Sequence, residues 1–225
     1  VDVLICITST LSSEIKKAFP ACTKSHHILP VGFNKDFLNI EHQEDKKYDV
    51  IYSGNFSQWK GLDILVEAIS IIKHQYNRDI RAVLIGANDQ TKQQYEDQAE
   101  ELKVLDNIEI VKRVEHKKIY DYISQSKIGV LSNKYDADGL LFTSPLKLYE
   151  YLGSGLKVVV SRLPSIESNI DQSLVYYATP ENPHSFAKEI LNALDDDTFD
   201  INKIKEFSKS YTWESRSKSF MKFIS

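Results

Sequence analysis

Short apolar runs alternate with helix-period segments along most of this chain, and that alternation restricts the fold more than any other feature. The runs "VLICIT", "HHILPV", "YDVIYSG", "RAVLIGA", "IEIVKRV", "KIGVLSN", "LKVVVS" and "LVYYA" are rich in β-branched residues, the pattern of strands buried in a parallel sheet. Between them lie "LSSEIKKAF", "LDILVEAISIIKHQY", "TKQQYEDQAEELKVL", "HKKIYDYISQS", "SPLKLYEYLGS" and "HSFAKEILNALDDD". Leu62, Leu65, Ile69 and Ile72 mark one apolar helical stripe. This βαβα order predicts an α/β fold, doubly wound around a mostly parallel sheet, with two closing helices, "INKIKEFSKSY" and "TWESRSKSFMKFI". The polar run from Asn39 to Lys47 reads as a linker, and Asp195 to Asp197 as a solvated helix end.

With 225 residues the chain is long enough for a substantial core, and 42% hydrophobic with 27% charged residues is ordinary globular composition. No apolar run approaches the roughly 20 residues of a membrane-spanning helix. A net charge of -4 argues against nucleic acid as a partner. One basic region, from Lys203 through Lys205, Lys209, Arg216 and Lys218 to Lys222, reads as a solvated helix face. Cys6 and Cys22 have no metal-ligand spacing and fit a reducing compartment. The six histidines also lack such spacing and read as surface or core residues, so no metal site is expected. Asp136-Ala137-Asp138 has the form of a metal-chelating DxD, but without a third ligand nearby it reads as a polar loop.

In open α/β sheets ligands bind at the carboxyl ends of the strands, which directs attention to two strand-to-helix turns. In "YSGNFSQWKGLD", Gly54 allows a sharp turn and close ligand approach, and Lys60 stands at the next helix start; the spacing is not that of a Walker A loop. In the second turn Ser144 fits an N-cap and Pro145 a first helical residue, which puts Lys147 in the first helical turn. A cation there opposes the helix dipole at a cost of about a few tenths of a kcal/mol, so an anionic partner is expected. Glu150 shares its face, and two readings stand: Lys147 and Glu150 pair at the surface, or Lys147 and Lys60 share an anion such as a diphosphate. Gly153-Ser154-Gly155 follows a helix and precedes a strand, so it reads as a helix C-terminus and not as a dinucleotide fingerprint.

These turns carry a family resemblance. "YSGNFSQWKGLDILVEAI" followed by "SPLKLYEYLGSGLKVVVSRLPSIES" resembles the C-terminal, nucleotide-sugar-binding half of GT-B glycosyltransferases of the large retaining family 4 (group 1). "LPVGFNKDF" is similar to that family's "PNGVDxxxF" connection and "TWESRSKSF" to its closing helix, so the resemblance covers nearly the whole chain. It implies that residues 1–40 are the terminal strand and helix of an N-terminal domain plus the connection, and residues 41–225 a donor domain with closing helices. The family's diphosphate-binding lysine falls on Lys60, behind Gly54 and Asn55, and its ribose-binding glutamate on Glu150. The helix-start amides that hold phosphate and sugar fall on Thr143, Ser144 and Pro145, with Lys147 beside them; the nucleobase would lie against Lys112, Arg113 and Val114. The sequence departs from the family at two of these positions. Phe142 occupies the first place of the Glu-x7-Glu pair, as in a branch carrying "TSPLK", and Asn55 stands where an arginine usually follows the turn glycine.

The resemblance implies retaining hexosyl transfer from a UDP- or GDP-linked sugar to an acceptor glycan or lipid-linked glycan, in bacterial surface-glycan or polysaccharide synthesis. It implies no metal and no further cofactor, with Lys60, Lys147 and a helix dipole stabilising the departing diphosphate. The acceptor would be held by an N-terminal domain that this sequence, starting at Val1, lacks, so the chain alone would transfer no sugar. Trp213, Phe220, Met221, Phe223 and Ile224 would then expose apolar surface. A cytoplasmic location follows, with room for peripheral contact at the cytoplasmic membrane face. The alternatives are a nucleotide-sugar epimerase or a phosphorylase on the same fold, and a non-catalytic sugar-nucleotide-binding module.

Overall fold

All eight apolar runs are strands: β1 (Val3–Cys6), β2 (Ser25–Ile28), β3 (Tyr48–Ser53), β4 (Ala82–Ala87), β5 (Ile108–Lys112), β6 (Ser126–Leu131), β7 (Lys157–Ser161) and β8 (Tyr176–Ala178). The computed structural model describes residues 3–21, 25–135 and 144–224, so Cys22, Asp136 to Asp138, Phe142 and Thr143 lie outside the described residues. The helices are α1 (Ser9–Ala18), α2 (Leu62–Gln75), α3 (Asp89–Glu101), α4 (His116–Ser124), α5 (Leu146–Ser154), α6 (Pro164–Glu167), α7 (Pro183–Asp195), α8 (Ile201–Lys209) and α9 (Trp213–Ile224). Helix α6 is the one the sequence does not announce, because four residues are barely one turn and show no period. No helix among the described residues is long and apolar enough to cross a membrane.

Strands β3 to β8 form one sheet in the order β5-β4-β3-β6-β7-β8, parallel at every pair. Alternate residues feed two cores. Ala82, Leu84 and Val159 meet the Leu62, Leu65, Ile69 and Ile72 stripe of α2 together with Phe186 and Ile190 of α7. Val83, Ile85, Val158 and Val160 meet Ile119 and Ile123 of α4 with Leu148, Tyr151 and Leu152 of α5. The fold is therefore doubly wound, as the βαβα order requires. Winding reverses between β3 and β6, and at such a reversal the adjoining strand-to-helix turns separate into a crevice.

Two strands depart from the expectation of burial. Among the described residues β1 and β2 pair only with each other, and most of their residues are half-exposed. On this part of the molecule the His27 ring stacks on Phe223 at 4.2 Å, which covers one of the five aromatic and aliphatic residues expected to be bare on α9; Trp213, Phe220, Met221 and Ile224 are exposed. Phe33 joins the two ends of the chain. Its N–H donates to Tyr211 O (3.0 Å), its carbonyl accepts from Trp213 N–H (3.0 Å), and its buried ring presses on Gly153, where a Cβ would come within 2.4 Å of it.

The expected linker is tied down, while of the aspartates expected in solvent Asp195 and Asp197 are exposed and Asp196 is half-buried. His42 Nε2 bonds Ser154 O at 2.7 Å, and the Lys46 ammonium donates to Ser124 O at 2.7 Å, so the segment supplies partners to the last carbonyls of α5 and α4. Burial, with the Lys46 and Lys205 charges adding to it, holds the His42 imidazole below its usual range. Asp195 pairs with Arg78 at 2.7 Å, and Asp196 accepts from Tyr176 Oη at 2.6 Å and from Thr198. Arg78 and Tyr176, from other elements, are partners that no local pattern could supply.

Gly129 of β6 has no room for a side chain: a Cβ would lie 2.3 Å from the Tyr151 ring. Gly129→Ala is expected to destabilise the fold by about 1–3 kcal/mol through overpacking, measured as a lower urea midpoint at unchanged slope.

Candidate functional site

A cleft of about 770 Å³ opens over the carboxyl ends of β3, β4 and β5. Its walls are the turn from Ser53 to Ser57, the turn from Ile85 to Asn88, Arg113 and Val114 after β5, His116 and Ile119 of α4, and Lys147 of α5. Of the candidate residues it brings together Gly54, Asn55, Arg113, Val114 and Lys147. Gly54 is not in the left-handed region; it is small because a Cβ would meet Tyr52 Oη at 2.8 Å. Tyr52 Oη in turn donates to Asn55 O at 2.7 Å and holds the turn in place. The Asn55 side chain is occupied locally, accepting from Ser57 Oγ at 3.0 Å. Arg113 donates its N–H to Ala87 O at 3.1 Å, and Lys112 turns away to pair with Asp89.

Lys60 ends a short 3-10 turn, Gln58–Lys60, and the reason is steric as well as local. Gly61 has φ +64°, and a Cβ there would stand 2.0 Å from Ser132 O, just beyond the end of β6. Ser132 Oγ donates to Lys60 O at 3.1 Å, and Lys134 N–H donates to Trp59 O at 2.9 Å. The backbone of Trp59 to Gly61 is thus fastened to the neighbouring strand across the point where winding reverses. The Lys60 ammonium lies 3.7 Å from the centre of the Trp59 ring, and it is not part of the cleft wall. Burial, and then the nearby Lys147 charge, push its pKa down to about 8.

Helix α5 begins at Leu146 and not at Pro145, and Ser144 does not cap it. The buried Ser144 hydroxyl accepts instead from Val31 N–H at 3.2 Å, so it is spent on the connecting segment. Pro145 occupies the N-cap position without a side-chain cap, leaving the positive end of α5 open. Lys147 Nζ meets Glu150 Oε2 at 2.6 Å. This is no surface pair: Glu150 is 2% exposed, and its other oxygen, Oε1, lies 3.6 Å from His116 Nε2. A buried carboxylate between two nitrogen donors has little left to gain from solvent and much to gain from hydroxyl or ammonium partners.

Three contributors stand outside the residues expected from sequence. His116 has no metal spacing, and its signal is its place at the helix start after β5. Trp59 adjoins Lys60 and carries no motif of its own. Tyr151 is fully buried, and its hydroxyl accepts from Ser53 N–H at 2.8 Å and bonds Ser53 Oγ at 3.0 Å, a contact between positions 98 apart that no local pattern signals.

The sequence profile described as "Glycosyl transferases group 1" matches residues 34–211, which takes in every element that builds this cleft. The chain belongs to the group 1 glycosyltransferases. No curated protein matches it in sequence. Among solved structures it resembles a glycosyltransferase from Rickettsia africae ESF-5 (TM-score 0.78, 15% identity, 97% of this chain and 61% of that one). It also resembles WaaG, a glycosyltransferase involved in lipopolysaccharide biosynthesis (0.72, 14%, 96% and 61%), and Anabaena Alr3699/HepE in complex with UDP and glucose (0.75, 13%, 100% and 63%). At such identities the likeness is one of fold, that of a Rossmann-like GT-B glycosyltransferase domain. This group 1 chain spans about three-fifths of the length of those proteins.

In this glycosyltransferase chain two half-buried lysines have a measurable signature. After reductive methylation with 13C-formaldehyde, Lys60 and Lys46 should titrate near pH 8, well below the ordinary lysine value of about 10.4. Lys147→Met should raise the Lys60 midpoint and leave that of Lys46 in place. Since the folded pKa lies below the unfolded one, the unfolded chain binds more protons in this window. Stability from these groups should therefore rise between about pH 8 and pH 10.4.

Proposed function

We propose that this chain is the donor-binding part of a family 4 retaining glycosyltransferase and takes a nucleoside-diphosphate sugar, UDP- or GDP-linked, in the cleft. One observation carries the reading: two lysines and a nearly inaccessible carboxylate gather where winding reverses, with one cation left without a carboxylate partner among the described residues. A diphosphate answers the excess positive charge, and a ribose offers Glu150 the vicinal hydroxyls that a carboxylate accepts from most readily. The nucleobase lies against Arg113 and Val114, the diphosphate between Lys147, Lys60 and the open end of α5. The presence of UDP and glucose in the HepE complex supports this class of ligand.

In transfer, charge grows on the departing diphosphate oxygen. Lys60, Lys147 and the first amides of α5 stabilise it without a metal ion, and do so more strongly in a cleft than in water. Residues 41–225 form the donor domain, and residues 1–40 belong to the domain that holds the acceptor glycan or lipid-linked glycan. Asn55, with its side chain turned to Ser57, removes one phosphate contact and favours weaker donor binding, which keeps a non-catalytic nucleotide-sugar module as the second reading.

Calorimetric titration with uridine, UDP and GDP, with and without a chelator, tests the proposal. Lys147→Met is expected to weaken diphosphate binding by about 1–3 kcal/mol and leave uridine nearly unchanged. Glu150→Gln should weaken nucleoside and diphosphate alike and abolish the preference over a 2′,3′-dideoxy nucleotide. Diphosphate affinity should also fall as pH rises through about 8, where Lys60 loses its proton. Equal binding by wild type and both variants would remove the site, and strict dependence on magnesium or manganese would bring Asp136 and Asp138 into it.

A further inference from the structure

The Lys60 ammonium does not reach the cleft wall, and its surroundings say why. Its backbone and that of Trp59 are both pinned to the end of β6, through Ser132 Oγ and Lys134 N–H. The half-buried Trp59 ring packs against the core that includes α4 and α5 residues. The Lys60 ammonium rests on the indole face at 3.7 Å. Lys147, whose charge acts on Lys60, does line the cleft. A cation over an aromatic face is held electrostatically, most strongly by indole and less by phenyl.

We propose that Trp59 is a seat for Lys60: the indole holds the ammonium beside the cleft, and a bound diphosphate draws it off, so that ring and diphosphate compete for one cation. This rests on the cleft being the diphosphate site. It makes Trp59 a positioning residue that lowers affinity, because an interaction present only in the free protein must be given up on binding. The benefit is that a partly desolvated ammonium, next to a second lysine, is kept in one place while no anion is bound.

The chain has two tryptophans, so Trp213→Phe leaves Trp59 as the sole emitter. In that background UDP (or GDP, whichever binds) should shift Trp59 emission, uridine should not, and Lys60→Met should abolish the shift. By calorimetry Trp59→Leu should bind UDP about three- to tenfold more tightly, with uridine within about twofold, and Trp59→Phe should fall between. Unchanged or weaker UDP binding in Trp59→Leu, or an equal emission change with uridine, overturns the proposal. If Lys60→Met weakens UDP while Trp59→Leu fails to tighten it, the seat alone is wrong and the diphosphate site stands. If wild type binds neither UDP nor GDP, or Lys60→Met binds as tightly as wild type, the site falls and the seat with it.

Discussion

The hydrogen bond from Ser53 N–H to the buried Tyr151 hydroxyl fixes where the cleft is. It joins the last residue of β3 to the middle of α5, two elements on either side of the reversal in winding, and it lies where solvent cannot replace it. Loss of the acceptor would orphan a buried amide, at a cost of about 1–3 kcal/mol. The tyrosine ring reaches that position only because β6 carries glycine at residue 129. Glu150 precedes Tyr151 and Lys147 stands one turn earlier, so the charged residues inherit their placement from a bond that carries no charge itself.

The electrostatics follow from this placement. Glu150 is held in the protein interior by α5, and its two oxygens are approached by Lys147 and His116. A buried ion pair of this kind contributes little to stability, since desolvation offsets most of the attraction, but it holds a carboxylate and an ammonium in fixed orientation. Lys60, brought in by the Gly61 turn, finds the carboxylate already taken and settles on an aromatic face. The protein groups around the cleft thus supply more positive than negative charge, a property set by elements that are distant in sequence.

The fold was legible because its signal is repeated. Eight β-branched runs and six helical segments that alternate over most of the chain leave few alternatives to a doubly wound sheet, and the apolar stripe of α2 predicts its own buried face. Gly54, Asn55, Arg113, Val114 and Lys147 could be drawn to one end of the sheet from sequence because the segments that follow strands gather there, and the cleft brings these five together. The site was less legible at Ser144, whose hydroxyl went to Val31 instead of the helix end: a cap and a tertiary acceptor have the same composition, and only packing chooses between them. His116 and Tyr151 were opaque for a related reason, since their partners, Glu150 and Ser53, come from other elements. The Asn39 to Lys47 run looked like a linker because capping another helix's carbonyls requires polar residues, just as solvation does.

Phe33 forms a seam between the N-terminal segment and the C-terminal helices. The backbone entering from β2 and the backbone leaving toward α9 are bonded to each other at this residue, on both sides of its peptide, while its ring is set into α5 at Gly153. His27 and Phe223 repeat the connection farther out. The segment after β2 and the segment before α9 thus meet at the same face of α5, the element that holds Lys147 and Glu150.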